Sequence, residues 1–274
     1  MSTTIYGLVG KGKLGSLLLE RPGFVYIDCD IRDISSVQKT KVDVDVLVNC
    51  AAISDVAECE YIHTKHLVDT NVRGVMNLHE VYGDRVLTIS SDQVFSGKSL
   101  FLPHEGSKRE PVNKYGFSKL AAEELSMKYG GKVLRLSRTV SMQDKDIENY
   151  VDLLFHNETI QVPTFFYRNY LTRAQAADGI HYFLQHYDVM PKVVNYGGRD
   201  NASMYTLMQK LAKALRVPVA YVEKRTKYVE GTMAPRPKRG GFRVSLAEKL
   251  GFMVPGIDTV VEYLTDEYYR GDSK

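Results

Sequence analysis

Residues 5–9 (IYGLV) are a short β-prone stretch that runs straight into Gly10-Lys11-Gly12-Lys13-Leu14-Gly15, after which Leu14, Leu17 and Leu18 fall at helical spacing. Strand, glycine turn and helix in that order constrain this chain more than any other feature. Gly10, Gly12 and Gly15 satisfy GxGxxG. The first glycine permits the tight turn, the second lets a pyrophosphate approach the backbone, and the third lets the helix pack closely on the strand. The first amides of such a helix are unpaired donors at a partly positive end, which suits an anion. Glycines also serve ordinary turns, so the position between strand and helix gives the motif its weight.

Further strands are expected at 24–27 (FVYI), 44–50 (VDVLVNC), 85–89 (RVLTI), 132–136 (KVLRL) and 193–196 (VVNY), with helix-like segments between them. The almost wholly apolar 44–50 segment reads as a central strand covered on both faces. This alternation predicts an α/β fold, a Rossmann-type doubly wound parallel sheet. After about residue 140 the rhythm changes. Helices are expected over 149–155, 173–185 and 203–215, the last with Ser203 as its cap, and the aromatic stretch VPTFFYRNY connects the first two. Residues 224–243 carry seven Lys or Arg and one acid and read as loop.

Asp28 stands 18 residues after Gly10, at the end of the second strand. A carboxylate there accepts hydrogen bonds from ribose hydroxyls and repels a 2′-phosphate, which favours NAD over NADP. Lys11, Lys13 and Arg32 are near enough in sequence to accommodate such a phosphate, so the preference is modest. Asp30 suits adenine contact or a helix cap, and Asp33 suits a cap. Farther on, Tyr115 and Lys119 are four residues apart, hence on one face of a helix. A neighbouring ammonium stabilises a phenolate and makes the phenol a better proton donor to a carbonyl. Ser90-Ser91-Asp92-Gln93 begins where RVLTI ends, beyond the carboxyl end of a strand, where ligands of open α/β sheets bind.

Composition narrows the class. Apolar residues make up 44% and charged residues 25%, ordinary for a globular chain, and 36 basic against 33 acidic residues give only +3. That balance argues against nucleic acid or an anionic membrane as the main partner. Three cysteines without a CxxC pair indicate neither a disulfide framework nor a zinc knuckle. No apolar run approaches the ~18 residues of a spanning helix, and nothing reads as an export signal, so a cytoplasmic enzyme is expected. No metal site is expected from the seven histidines; His63 and His66 are read as exposed helical positions.

The segments GKGKLG, IDCDIRD, VLVNCAAISDVAECE, TNVRGVMNL, ISSDQVFSG, PVNKYGFSKLAAEE and VLRLSR occur in an order that resembles the extended short-chain dehydrogenase/reductases, in particular the dTDP-4-dehydrorhamnose reductase branch. Weaker echoes continue through YRNYLTRAQAADGI, VNYGG and RPKRGGFRVSLAEKLGF. SDQVF paired with YGFSK is the most specific part. The resemblance implies an NAD(P)-binding Rossmann domain over 1–148, to which 170–200 returns, and a smaller C-terminal substrate-binding lobe from 149–169 and 201–274. It implies Ser91, Tyr115 and Lys119 as the catalytic set, Tyr115 being the acid. Gly10, Gly12, Lys13, Leu14, Gly15, Asp28, Asp30, Ile31, Ala51, Ala52 and Ser90 would contact the cofactor together with Tyr115 and Lys119. Ser91, Asp92, Gln93, Tyr115 and Arg236 would contact the substrate, with Lys238 and Arg239 as further candidates for its diphosphate. Asn71 would brace the active-site loop.

Two departures bear on specificity. Gly10 and Gly12 are one residue closer than is usual in that branch, and Gln93 replaces its common Tyr. The activity so implied is NAD(P)H-dependent reduction of a 4-keto-6-deoxy nucleotide sugar, with the nucleotide (dTDP, UDP or GDP) and a homodimeric state open. An epimerase of the same fold, or a cofactor-binding regulatory subunit, are the alternatives.

Overall fold

The computed structural model describes residues 4–227 and 234–271. Its first half alternates β1 (Tyr6–Val9), α1 (Lys13–Leu19), β2 (Phe24–Tyr26), α2 (Ile34–Lys39), β3 (Val46–Asn49), α3 (Val56–Tyr61), α4 (Thr64–Val68), α5 (Gly74–Tyr82) and β4 (Val86–Ser91). There follow α6 (Lys114–Lys128), β5 (Lys132–Leu136), β6 (Thr139–Val140), α7 (Lys145–Phe155), β7 (Ile160–Pro163), β8 (Tyr167–Asn169) and β9 (Leu171–Thr172). The last part contains α8 (Arg173–Gln185), β10 (Val193–Tyr196), β11 (Asn201–Ser203), α9 (Met204–Ala214), β12 (Val222–Arg225), α10 (Ser245–Lys249) and α11 (Ile257–Gly271).

Six strands form one parallel sheet in the order β10-β5-β4-β3-β1-β2. The doubly wound α/β fold is as the alternation implies. All four residues of β1 and of β3 are buried, as a strand sandwiched between two helical layers must be. After β1 the chain moves outward to β2, and then crosses back to β3 on the other side. This is the switch point at which such sheets open a crevice beyond their strand ends. Gly10 and Cys50 follow directly on the two strands that flank it.

Local chemistry explains several boundaries. Asp33 accepts from the Ser35 amide, Asn113 from the Gly116 amide at 2.7 Å and Ser203 from the Thr206 amide, so α2, α6 and α9 start behind side-chain caps. α7 begins at Lys145 rather than 149, because Asp146 and Glu148 favour the first turn of a helix electrostatically and are invisible to apolar periodicity. β4 runs on through Ser90 and Ser91, paired with Arg135 and Leu136 of β5, past the expected strand end at Ile89. The aromatic stretch is not a plain connector, since it contributes to β7 and β8. Lys224 and Arg225 belong to β12, paired with β7, and 228–233 of the expected basic loop lie outside the described residues.

The described residues form four apolar clusters, two of them large. One, on the sheet, joins Leu8, Val48, Leu87 and Leu134 to Ala177, Ile180 and Phe183 of α8. The other gathers Val151, Leu154, Val162, Leu207, Leu211, Val260 and Leu264. Phe242, Val244, Ala247 and Phe252 pack into the sheet core, although 201–274 reads in the sequence as part of the smaller lobe. No helix among the described residues is long and apolar enough to cross a membrane.

Candidate active site

A cleft of about 690 Å³ opens where β1, β3, β4 and β5 end, and its far wall comes from Ser137, Arg138, Thr139, Asp144, Arg168, Arg173 and Arg236. Gly12, Lys13, Leu14 and Gly15 form its floor at one end. Gly10 holds φ +87°, and a Cβ there would sit 2.2 Å from the Ala51 amide nitrogen. A Cβ on Gly15 would sit 2.0 Å from the Gly10 carbonyl oxygen. The turn therefore depends on these two glycines for its own packing. At Gly12 a Cβ would meet nothing within 4 Å, so that position faces open space where a ligand group can approach the backbone.

The residues expected to hold an adenosine lie beyond this lining. Asp28 is exposed and accepts from the Tyr26 hydroxyl at 3.2 Å. Asp30 is engaged by Arg32 in a fork, at 2.9 Å to Nε and 2.7 Å to Nη2, and this guanidinium holds the Asp30 carboxyl below its usual range. Ile31 is a core residue packed against Gly74, and its carbonyl accepts from Asn77 Nδ2 at 2.8 Å, so neither its side chain nor that oxygen is open to a ligand. Ala51 packs against Gly10 behind the turn, whereas Ala52 lines the cleft.

Ser90, Ser91, Tyr115 and Lys119 converge at the middle of the cleft. The Tyr115 and Ser91 side chains face each other across this part of the cleft, near enough for Ser91 to act on the phenol. The Lys119 Nζ donates to the Ile89 carbonyl at 2.9 Å and lies 5.9 Å from the centroid of the Tyr115 ring. Burial lowers the Lys119 pKa to about 8, against which Cys50, Glu123 and Cys59 act. The phenol is displaced the other way. Burial lifts the Tyr115 pKa above its ordinary value and Ser91 only partly offsets this. The four-residue spacing predicts a phenol acidified by its lysine; in the folded chain burial, with Asp92 and Cys59, raises the phenol instead, and the ammonium is anchored on the Ile89 carbonyl of β4. Cys50 also faces the cleft, but burial pushes its thiol up to about 12, so it remains protonated and inert.

The helix carrying this pair is braced from below. Residues Asp69–Arg73 form a π-helical turn between α4 and α5, and Asn71 sits in it. Its side chain accepts from the Ile53 amide at 2.8 Å and donates to the Ile53 carbonyl and the Ser118 hydroxyl, both at 2.9 Å. Asn71 thus joins the loop after β3 to α6.

Asp92 and Gln93 lie on the cleft wall with their polar atoms engaged by the protein. Asp92 Oδ2 accepts from the Gly241 amide at 2.9 Å and pairs with Arg168 Nε at 3.3 Å. Gln93 Oε1 accepts from Asn113 Nδ2 at 2.9 Å. Arg236 lines the cleft, while Lys238 and Arg239 are exposed and outside its lining. Arg138, Arg168 and Arg173 join Arg236 there and carry no role in the sequence reading. Their only signal was their place in VLRLSR and YRNYLTR, segments that otherwise read as strand and loop. The guanidiniums are not fully satisfied: Nε of Arg138 and Nε of Arg236 are buried without a hydrogen-bond partner. Burial, with Arg138 and Arg168 close by, lowers the Arg236 pKa. Among the described residues no cluster of His, Cys, Asp and Glu is placed to hold a metal ion, and exposed His63 caps α4.

Residues 8–269 match the family model described as RmlD substrate binding domain. The chain belongs to that family. Over 126 residues this RmlD-family chain is 33% identical to the "Probable low-salt glycan biosynthesis reductase Agl14" of Haloferax volcanii, covering 42% of this chain and only 40% of that protein's length. The dTDP-4-dehydrorhamnose reductase of Bacillus anthracis, solved in complex with NADP, superposes at a TM-score of 0.85 with 21% identity, covering 97% of this chain and all 100% of that one. A dTDP-4-dehydrorhamnose reductase ortholog of Clostridium acetobutylicum superposes at 0.83 with 18% identity, covering 97% and 99%. At such identities the shared property is the fold.

Proposed function

We propose that this protein is an NAD(P)H-dependent reductase of a 4-keto-6-deoxy nucleotide sugar. The observation that carries the reading is the meeting of Ser91, Tyr115 and Lys119 in one cleft with the open face of the glycine turn. The similarity to reductases of nucleotide sugars supports it. The larger, sheet-based part would bind the dinucleotide and the smaller lobe the substrate. Gly12 and its neighbours would receive the pyrophosphate, Lys119 the nicotinamide ribose, and Asp28 and Asp30 the adenosine. Both carboxylates, and the fork that occupies Arg32, weigh toward NAD over NADP. The cofactor, when bound, supplies the hydride that reduces the keto carbon.

The chain's own residues do the rest. Ser91 would orient the keto oxygen beside the Tyr115 hydroxyl, and Tyr115 would deliver the proton to that oxygen as it becomes an alcohol. A phenol held above its ordinary pKa is fully protonated at neutral pH, as a donor must be. The Lys119 cation would stabilise the phenolate left behind. The buried, unpartnered Nε atoms of Arg138 and Arg236 would donate to the diphosphate of the substrate, whose charge relieves their mutual repulsion.

Oxidation of NADH and NADPH with a panel of dTDP-, UDP- and GDP-linked 4-keto-6-deoxy sugars tests this. Tyr115→Phe should bind cofactor and lose at least ~100-fold in turnover. Interconversion of sugars without net oxidation would make the protein an epimerase, and binding with no turnover would make it a regulatory subunit.

A further inference from the structure

Tyr115, Lys119 and Glu123 follow one another at four-residue steps along α6 and share a face. Glu123 is 0% exposed, directly beneath the site. One of its oxygens accepts from Arg135 Nε at 2.7 Å and from the Ser90 hydroxyl at 2.6 Å. The other accepts from Arg135 Nη2 at 2.8 Å and Arg109 Nη1 at 3.1 Å. Ser90 and Arg135 are opposite each other on β4 and β5. A single carboxylate therefore ties α6 to both strands, one turn from Lys119, whose ammonium holds the Ile89 carbonyl of the same β4.

The groups that act on Lys119 are Cys50 after β3, Glu123 on α6 itself and Cys59 on α3. Both thiols are lifted by burial, to about 12 and about 11, and are neutral at physiological pH. Among these groups Glu123 is thus the one that bears negative charge.

We propose that Glu123 is a positioning residue for the reaction: it clamps α6 to β4 and β5 so that Tyr115 and Lys119 stay set against Ser91, and its carboxylate is the counter-charge of the Lys119 ammonium. The catalytic part of this rests on the proposed roles of Tyr115 and Lys119; the electrostatic part does not, because it is read without substrate. The test is a titration of the full-length chain carrying [ε-13C]lysine, with Lys119 assigned by the loss of its resonance in Lys119→Met. In Glu123→Gln the Lys119 midpoint should fall by at least one pH unit and turnover by at least ~10-fold. Since Glu123→Gln leaves Arg135 buried and unbalanced, the double variant Glu123→Gln/Arg135→Met is measured beside it. It should regain thermal stability while the Lys119 midpoint and turnover stay low. An unmoved midpoint in Glu123→Gln, or recovery of midpoint and turnover together with stability in the double variant, overturns the proposal. Full turnover in Lys119→Met would instead overturn the assigned role of Lys119, with the titration result standing apart.

Discussion

Two clusters of charge flank the end of β5, one around Arg135 and one around Arg138, and are built on opposite terms. Around Glu123, both carboxylate oxygens are taken, the two guanidiniums of Arg135 and Arg109 are aimed at them, and Arg135 is itself only 1% exposed. In the cleft, Arg138, Arg168 and Arg236 stand close enough to repel one another, and two of their Nε atoms have no partner. Asp92 neutralises Arg168, and Asp146 pairs with Arg138 at 2.8 Å, yet both orphan donors persist. Burying unpaired donors and like charges is unfavourable. That contrast supports the proposed reading, in which the closed cluster holds α6 in place and the open one would receive a ligand that brings negative charge.

The largest expected effect separates the two by stability. Glu123→Ala strands the buried Arg135 guanidinium in the interior, Arg109 keeping its pair with Glu124, and should cost about 3–5 kcal/mol in denaturant unfolding. Arg236→Ala relieves repulsion and should leave stability unchanged or raised, while the KM for a nucleoside diphosphate sugar rises about 10- to 100-fold, the worth of a charge-assisted hydrogen bond of roughly 1.5–3 kcal/mol. Equal destabilisation by both would erase the distinction. Next comes ligand-linked stability. Inorganic pyrophosphate at ~100 times its dissociation constant should stabilise the protein by about 2.7 kcal/mol, and this gain should vanish in Arg236→Ala. A gain that survives in the variant would move the anion site elsewhere.

The smallest effect is in pH. Burial sets Lys119 at about 8, below its ordinary 10.5, so between these values the unfolded chain binds more protons at this position than the folded one. The destabilisation due to Lys119 is complete below about pH 8 and is relieved as pH rises toward 10.5. The stability difference between Lys119→Met and the parent chain should therefore narrow from pH 8 to 10. Over the same rise kcat/KM should fall, as the cation needed beside the phenolate is lost. A flat profile through pH 8 would detach Lys119 from the reaction.

Much of the framework was legible because it is local. The glycine turn, β5 over 132–136, β10 over 193–196, α8 over 173–185 and the caps Asp33 and Ser203 depend on residues within a few positions of one another. The Tyr115–Lys119 spacing was legible for the same reason. The direction of the phenol's shift was not, since it is decided by burial that no spacing reports. The expected strand stopped at Ile89, short of Ser90 and Ser91, because Glu123, the partner of the Ser90 hydroxyl, lies 33 residues away.

What this sequence determined by itself is a parallel α/β framework and the order in which its strands deliver a glycine turn, a serine strand end and a tyrosine helix to one edge. Periodicity and short-range hydrogen bonding suffice for that. Which charges are closed and which are left open only the tertiary structure decided. Arg138, Arg168 and Arg236 become neighbours, and Glu123 meets Arg135 beneath the site, only when strands from distant parts of the chain are packed, and the cost of burying a charge depends on what is packed around it.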